Sequence, residues 1–543
     1  MKKNLIALIF LVTISKAWSQ QEEEPIEIVY GGNFTKNELK YPGASIFSKD
    51  DERQLEFLHK GAQLWCDVAL FYQQENKIKA IGNIKLVQGD TLELKAKRLD
   101  YDGSSLLAKS WDQVSLTTPQ MKLKTDTLYF NRAIQEAYYD SGGIIKDEEN
   151  TLKSLIGRYD TKLKKYIFKQ NVHLTNPEYE LNSEKLDYHT QSKHAYLYGP
   201  SKIIAEDYSF YCERGFYNTI LQEGYGIKNT TIKYDNRIIK GDSVYLNHPM
   251  NFASATNNIK ITDTINNGVL RAHYAEIYKD KDSLFATKRA LSISLVENDS
   301  LYMHGDTIMV TGKKDQKIIR AFQHAKFFKK GLSGKCDSIH FNQLSGITEL
   351  IRKPILWNGP SQMTGKEIYL ISNPKTKELD SLKVIDNAFI VSLDSIGKKG
   401  YNQIKGKLLN GSFKDNQLKH IQIDQNTEVI YYVYDDNNEL LGINQTICSA
   451  VIMEMEEGGI EEISFVLDPE GQISPLKDTP IEDRKLEGFL WYGSEQIKSP
   501  DDLFEEDDFE LKIINGLNQE LSPTKSSINS KESPLVKKPK KTN

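Results

Sequence analysis

An apolar residue, one spacer and a second apolar or aromatic residue recur down this chain at a nearly constant step. The pairs are Ala69/Phe71, Leu99/Tyr101, Leu128/Phe130, Gly157/Tyr159, Leu186/Tyr188 and Gly215/Tyr217, then Val244/Leu246, Ala275/Ile277, Ile308/Val310, Ile339/Phe341, Ile368/Leu370 and Leu409/Gly411. Their second members are 30, 29, 29, 29, 29, 29, 31, 33, 31, 29 and 41 residues apart. Such a period means a stack of like units, each burying its core against its neighbours in sequence.

Two further columns keep the same phase. Five residues before each second member stands a small residue: Cys66, Ala96, Thr125, Ser154, Ser183, Cys212, Gly241, Ala272, Gly305, Cys336, Gly365 and Gly406. Seven residues before, the column is apolar from Leu64 through Ile404, with Gly334 the exception. Side chains alternate along a strand, so positions −7 and −5 share a face, as do −2 and 0. The step from −5 to −2 is odd, so a corner or bulge is required there for both pairs to face inward. Crowding inside that corner would explain the small column, and casts Cys66, Cys212 and Cys336 as small apolar fillers. Between the motifs lie segments such as Gly82–Leu86 and Ile259–Ile261, whose apolar residues are two apart. Each repeat therefore holds two bent strands, punctuated by turn residues such as Tyr101-Asp102-Gly103. The abundance of Tyr (28) and Phe (21) suits strands. Twelve such repeats predict a rod on the order of 110 Å, from two strands per repeat at ~4.8 Å spacing. Periodicity does not decide whether the strands run parallel or antiparallel.

The ends read differently. Lys2, Lys3, the apolar run Leu5–Ile14 and Ala17-Trp18-Ser19 compose a secretory signal peptide over residues 1–19. Residues 20–58 are an N-terminal lead-in, 59–424 the repeats, and 425–467 terminal strands or an end cap. Residues 468–543, with seven acids between Asp501 and Glu510 and six lysines after Ser522, read as a mostly disordered charged tail. A formal charge of −5 over 543 residues argues against a nucleic-acid partner. The cysteines have no metal or redox spacing, the ten histidines form no H-E-x-x-H, and no phosphate-binding loop occurs. No catalytic residue, metal or cofactor is expected.

Gly82-Asn83-Ile84-Lys85-Leu86-Val87-Gln88-Gly89-Asp90 with Leu99-Asp100-Tyr101-Asp102 resembles the OstA/LptA family of lipopolysaccharide-transport proteins. So do Leu123–Phe130 and Leu181–Tyr188, and the likeness runs over roughly residues 59–424. The resemblance implies an all-β, elongated β-jellyroll, a taco-like solenoid of about twelve repeats open along one side. It implies a periplasmic bridge whose apolar trough passes lipopolysaccharide acyl chains toward the outer membrane, without catalysis. Its partners would be lipopolysaccharide or a related acylated lipid, and jellyroll domains of inner- and outer-membrane proteins that join end to end by strand pairing. The lining candidates are Leu99, Tyr101, Leu128, Phe130, Leu186, Tyr188, Val244 and Leu246. The array is longer than a typical soluble bridge of that family and lacks the amphipathic strand series of an outer-membrane barrel. An exported β-solenoid scaffold or adhesin is the alternative. A parallel β-helix polysaccharide lyase is a more distant one, since no repeat concentrates acids, bases or a metal site.

Overall fold

The computed structural model describes residues 24–516, except 90, 91, 297, 298, 314, 399, 416, 457, 458 and 505–509. The expected signal peptide at 1–19 and the lysine-rich end therefore lie outside the described residues. Contacts divide the chain into two compact units, one up to Gln191 and one from Ser192. Both are β-jellyrolls of antiparallel strands, most of them 10 to 18 residues long, each pairing with strands close to it in sequence. That settles strand direction.

Each long strand is bent in its middle. Lys77–Gln88 pairs with Leu92–Asp102 through Ile81↔Arg98 and then Ile84↔Ala96. Gly82 and Asn83 thus stand opposite the single residue Lys97, which makes a bulge. Both have left-handed backbone, at φ 80° and 38°. Paired left-handed residues recur at Asp112–Gln113 and Gln170–Asn171 in the first unit. In the second they recur at Lys228–Asn229, Asn257–Asn258, Lys288–Arg289, Asp386–Asn387 and Gln425–Asn426. Most are polar or flexible side chains, the kind that tolerates this region least expensively. So the bulge sits in the strand between motifs, while the motif strand keeps both of its pairs inward. Ala96 and Leu99 are buried, and Lys97 and Arg98 between them are exposed.

The bend divides every unit into two walls. One wall carries columns −7 and −5, the other −2 and 0, and their apolar faces meet in the core. The small column is crowded only in part. A Cβ on Gly365 would meet Val384 at 2.2 Å and one on Gly406 would meet Ile423 at 2.4 Å, but one on Gly241 finds nothing nearer than 3.5 Å. All four cysteines are buried free thiols. Burial pushes those of Cys66, Cys212 and Cys336 up to about 12.

Two expectations about the ends need correction. The lead-in already belongs to the array: Ser45–Ser48 pairs with Val68–Tyr72, and Leu55–His59 with Ala62–Cys66. The expected disordered tail is largely placed. Glu470–Ser474 pairs with Leu440–Glu456. Residues 476–504 then run back over the second unit, burying Thr479, Ile497 and Leu503. Composition misled here because a few well-spaced anchors, not a high apolar content, fix this segment.

Candidate functional site: the interior between the walls

The interior is built by cross-strand alternation of large and small residues. In the first unit Leu99 and Leu128 flank Ser110, and Tyr101 and Phe130 flank Ala108. Leu186 lies beside Phe168, which faces Gly157, and Tyr188 lies beside Tyr166. In the second unit Val244 sits between Gly226 and Ala255, and Leu246 between Gly224 and Ala253. Large against small lets the layers interdigitate without voids. Leu99, Tyr101, Leu128, Phe130, Leu186 and Val244 are accordingly all buried, whereas Tyr188 and Leu246 are partly exposed. The exposed ones belong to position 0, the column nearer the free edge of its wall.

Two polar devices that the repeat columns do not reveal complete the interior of the first unit. Tyr139, 2% exposed, crosses from one wall to the other and hydrogen-bonds Ser154 Oγ at 2.7 Å. Its ring fills the space left by two glycines: a Cβ on Gly143 or Gly157 would lie 2.4 or 2.3 Å from Tyr139 Cζ. Gly157 is the position −2 residue of its repeat, and that break in an aliphatic column was the available signal. Burial raises the Tyr139 hydroxyl pKa. Around this plug lies a cavity of about 20 Å³, lined by Met121, Leu128, Tyr139, Tyr159, Tyr166 and Phe168 among others, with room for one water. Tyr159 and Tyr166 stack there at 4.2 Å, and burial raises both hydroxyls.

The second device ties one wall's edge to the other. Arg132, in the turn after Asn131, donates to Tyr101 Oη at 2.7 Å, to the His59 carbonyl at 3.1 Å and to the Lys60 carbonyl at 2.8 Å. It also donates to Gln88 Oε1 at 3.2 Å. His59 Nδ1 meets Tyr101 Oη at 2.7 Å and Nε2 meets the Glu24 carbonyl at 2.9 Å. Burial, with the Arg132 charge second to it among the lowering influences, depresses the His59 pKa, so the ring is held neutral. The Arg132 guanidinium thus donates to four uncharged oxygens. Sequence reading missed it because a turn arginine ordinarily faces solvent.

No group of three His, Cys, Asp or Glu among the described residues is placed to hold a metal ion. What the two walls offer is a narrow apolar slot with a polar tie across its edges.

The family model described as OstA-like protein matches residues 47–184. That segment is OstA-like. Bent pairing of the same kind occurs past residue 184, where Glu223–Tyr234 pairs with Arg237–Asn247 as Lys77–Gln88 does with Leu92–Asp102. No curated protein matches the chain. Among solved structures, LptH from Pseudomonas aeruginosa, the LptA-homologous periplasmic component of a lipopolysaccharide transport device, is similar at 16% identity. The match covers 21% of this chain and 82% of LptH, at a TM-score of 0.20. The architecture rests on the strand registers above, not on that likeness.

Proposed function

We propose that this OstA-like chain is a periplasmic lipid-binding bridge that takes the acyl chains of lipopolysaccharide, or of a related lipid, between its walls. One observation carries the reading: within each unit the walls are joined by bent strands along one side, and no strand pair among the described residues closes the other. A slot of this kind can widen at its free edges without breaking a sheet hydrogen bond. Apolar columns then replace wall-to-wall contact with contact to lipid, which is favourable at ~0.8 kcal/mol per buried CH₂. Transfer is passive, with direction supplied by partners that extend the array by strand pairing at its ends.

The close packing of the interior favours a second reading, a structural solenoid into which no lipid enters. Photo-crosslinking separates the two. A crosslinking residue at Tyr188 or Leu246, next to the free edge, should capture acylated lipid in cells most strongly. Leu99, Tyr101, Leu128, Phe130, Leu186 and Val244 should capture less, and outward Asp126, Glu184 or Asp242 almost none. Equal capture at inward and outward sites would leave only the solenoid.

A further inference from the structure

The outer face of the second unit, opposite the slot, holds the backbone of residues 476–504 at two points. Gln403 and Gln362 each stand next to an inward residue, Ile404 and Met363, and so point the other way. Gln403 Nε2 donates to the Arg484 carbonyl at 2.8 Å, and its Oε1 accepts from Leu486 N at 2.9 Å. Gln362 repeats this with the Leu490 carbonyl at 2.9 Å and Tyr492 N at 2.7 Å. Both amides are almost wholly buried, at 0% and 1% exposed. Each clamps a carbonyl and the N–H two residues on, which fits extended backbone and is blind to side chains. Asn257 holds both backbone groups of a single residue: its Nδ2 donates to the Lys512 carbonyl at 2.7 Å and its Oδ1 accepts from Lys512 N at 3.3 Å.

Between the clamps the returning segment is held by separate side-chain anchors and not by strand pairing. Ile497 and Leu503 pack on Leu291, Ile293, Tyr302 and Phe328, and Leu486 lies with Ile430 and Tyr432. Phe489 and Trp491 pack on Tyr401 and Phe504 on His304, while Ile481 and Leu490 between such points are 70% and 58% exposed. Nor does it satisfy the face it covers: Trp357, 1% exposed beside Gln362, has no hydrogen-bond partner for its indole Nε1. A segment with isolated anchors can lift without disturbing the sheet beneath.

We propose that this face is a binding track for a polypeptide that is extended at the two clamps and carries aliphatic or aromatic anchors, and that residues 476–504 are its built-in, displaceable occupant. An acyl chain would cover the apolar patch but could not serve the amide clamps. An incoming polypeptide can also offer a carbonyl to Trp357.

The test uses the full chain with Ile497→Asp and Leu503→Asp to release the segment, and a fluorescent synthetic peptide of residues 484–504 as probe. The released variant should bind the peptide at least tenfold more tightly than the wild type. Adding Gln362→Ala and Gln403→Ala should remove at least tenfold of that affinity. No binding to a folded variant whose segment is cleaved readily by protease would overturn the proposal. So would binding that ignores the glutamine changes, or capture of a fluorescent fatty acid in place of the peptide. Should the released variant fail to fold, excess peptide added to the wild type should speed proteolysis between residues 476 and 504, and unchanged cleavage would count against the track.

Discussion

The two units share their inward columns and differ on the outside of the same wall. In the first unit that surface carries Lys85, Glu93, Lys95, Ser115, Lys124, Lys153 and Asn182. Glu93 pairs there with Lys85 at 3.3 Å and Lys95 at 2.6 Å. In the second unit the equivalent surface carries Leu291, Ile293, Tyr302, Phe328, Trp357, Ile430 and Tyr432. The first wall meets water; the second is covered by residues 476–504. An antiparallel sheet tolerates a solvated face on one side, so polar outer positions need no cover. Single apolar residues there, such as Ile144, can stand exposed, but a contiguous apolar stretch favours a cover. The inward period thus reports how the chain stacks, and the outward positions report what it meets.

The largest expected effect tests that contrast directly. Trp357→Ala should destabilise by ~3–5 kcal/mol, because it empties a buried site in a face that has to stay packed. Lys95→Ala, at the matching surface of the first unit, should change stability by no more than ~0.5 kcal/mol, as exposed ion pairs usually do. Denaturant unfolding of both variants decides, and comparable losses would erase the distinction between the faces.

The fold was legible because its constraint is periodic. Parity between positions −5 and −2 demands the bend, and Ala96 and Leu99 are both buried on the two sides of it. The lipid-facing candidates were legible as inward residues but not as exposed ones, since sequence says which way a side chain points and not whether two walls touch. Tyr139, Arg132 and the clamp glutamines escaped because each acts once, across a distance that no repeat records. Gln362 and Gln403 sit in ordinary outward strand positions, and only the chain that returns upon them makes them buried.

A middle-sized effect sharpens the comparison inside the walls. Gly157→Ala in the first unit forces its Cβ to within 2.3 Å of the Tyr139 ring, so it should cost ~1–3 kcal/mol by overpacking. Tyr139→Ala should absorb much of that penalty, giving a double variant more stable than the sum of its parts. Gly241→Ala in the second unit adds a methyl with nothing nearer than 3.5 Å and no left-handed backbone to oppose it. It should be neutral, or stabilising by up to ~1 kcal/mol through the unfolded chain. Thermal melts of the three variants would show whether crowding belongs to particular corners or to the whole small column.

The smallest effect concerns the tie across the first unit's edges, and its sign follows from the hydrogen bonds. The Glu24 carbonyl can only accept, so His59 Nε2 carries the proton and Nδ1 accepts from the Tyr101 hydroxyl. Tyr101 in turn accepts from Arg132. A second proton on His59 would turn Nδ1 into a donor toward an oxygen that Arg132 already uses, and would place a cation beside a buried guanidinium. The folded pKa is therefore depressed below that of the unfolded chain, about 6.5. Across that window the unfolded state binds the extra proton, so stability is complete above about 6.5 and declines as pH falls toward the folded value. The decline amounts to ~1.4 kcal/mol for each unit of depression. The melting temperature of the wild type should drop through this range more steeply than that of His59→Gln, which keeps a polar side chain without the titration. Equal slopes would mean that the tie is not held by a neutral histidine, and that the first unit's edges are as free as the open side of the slot requires.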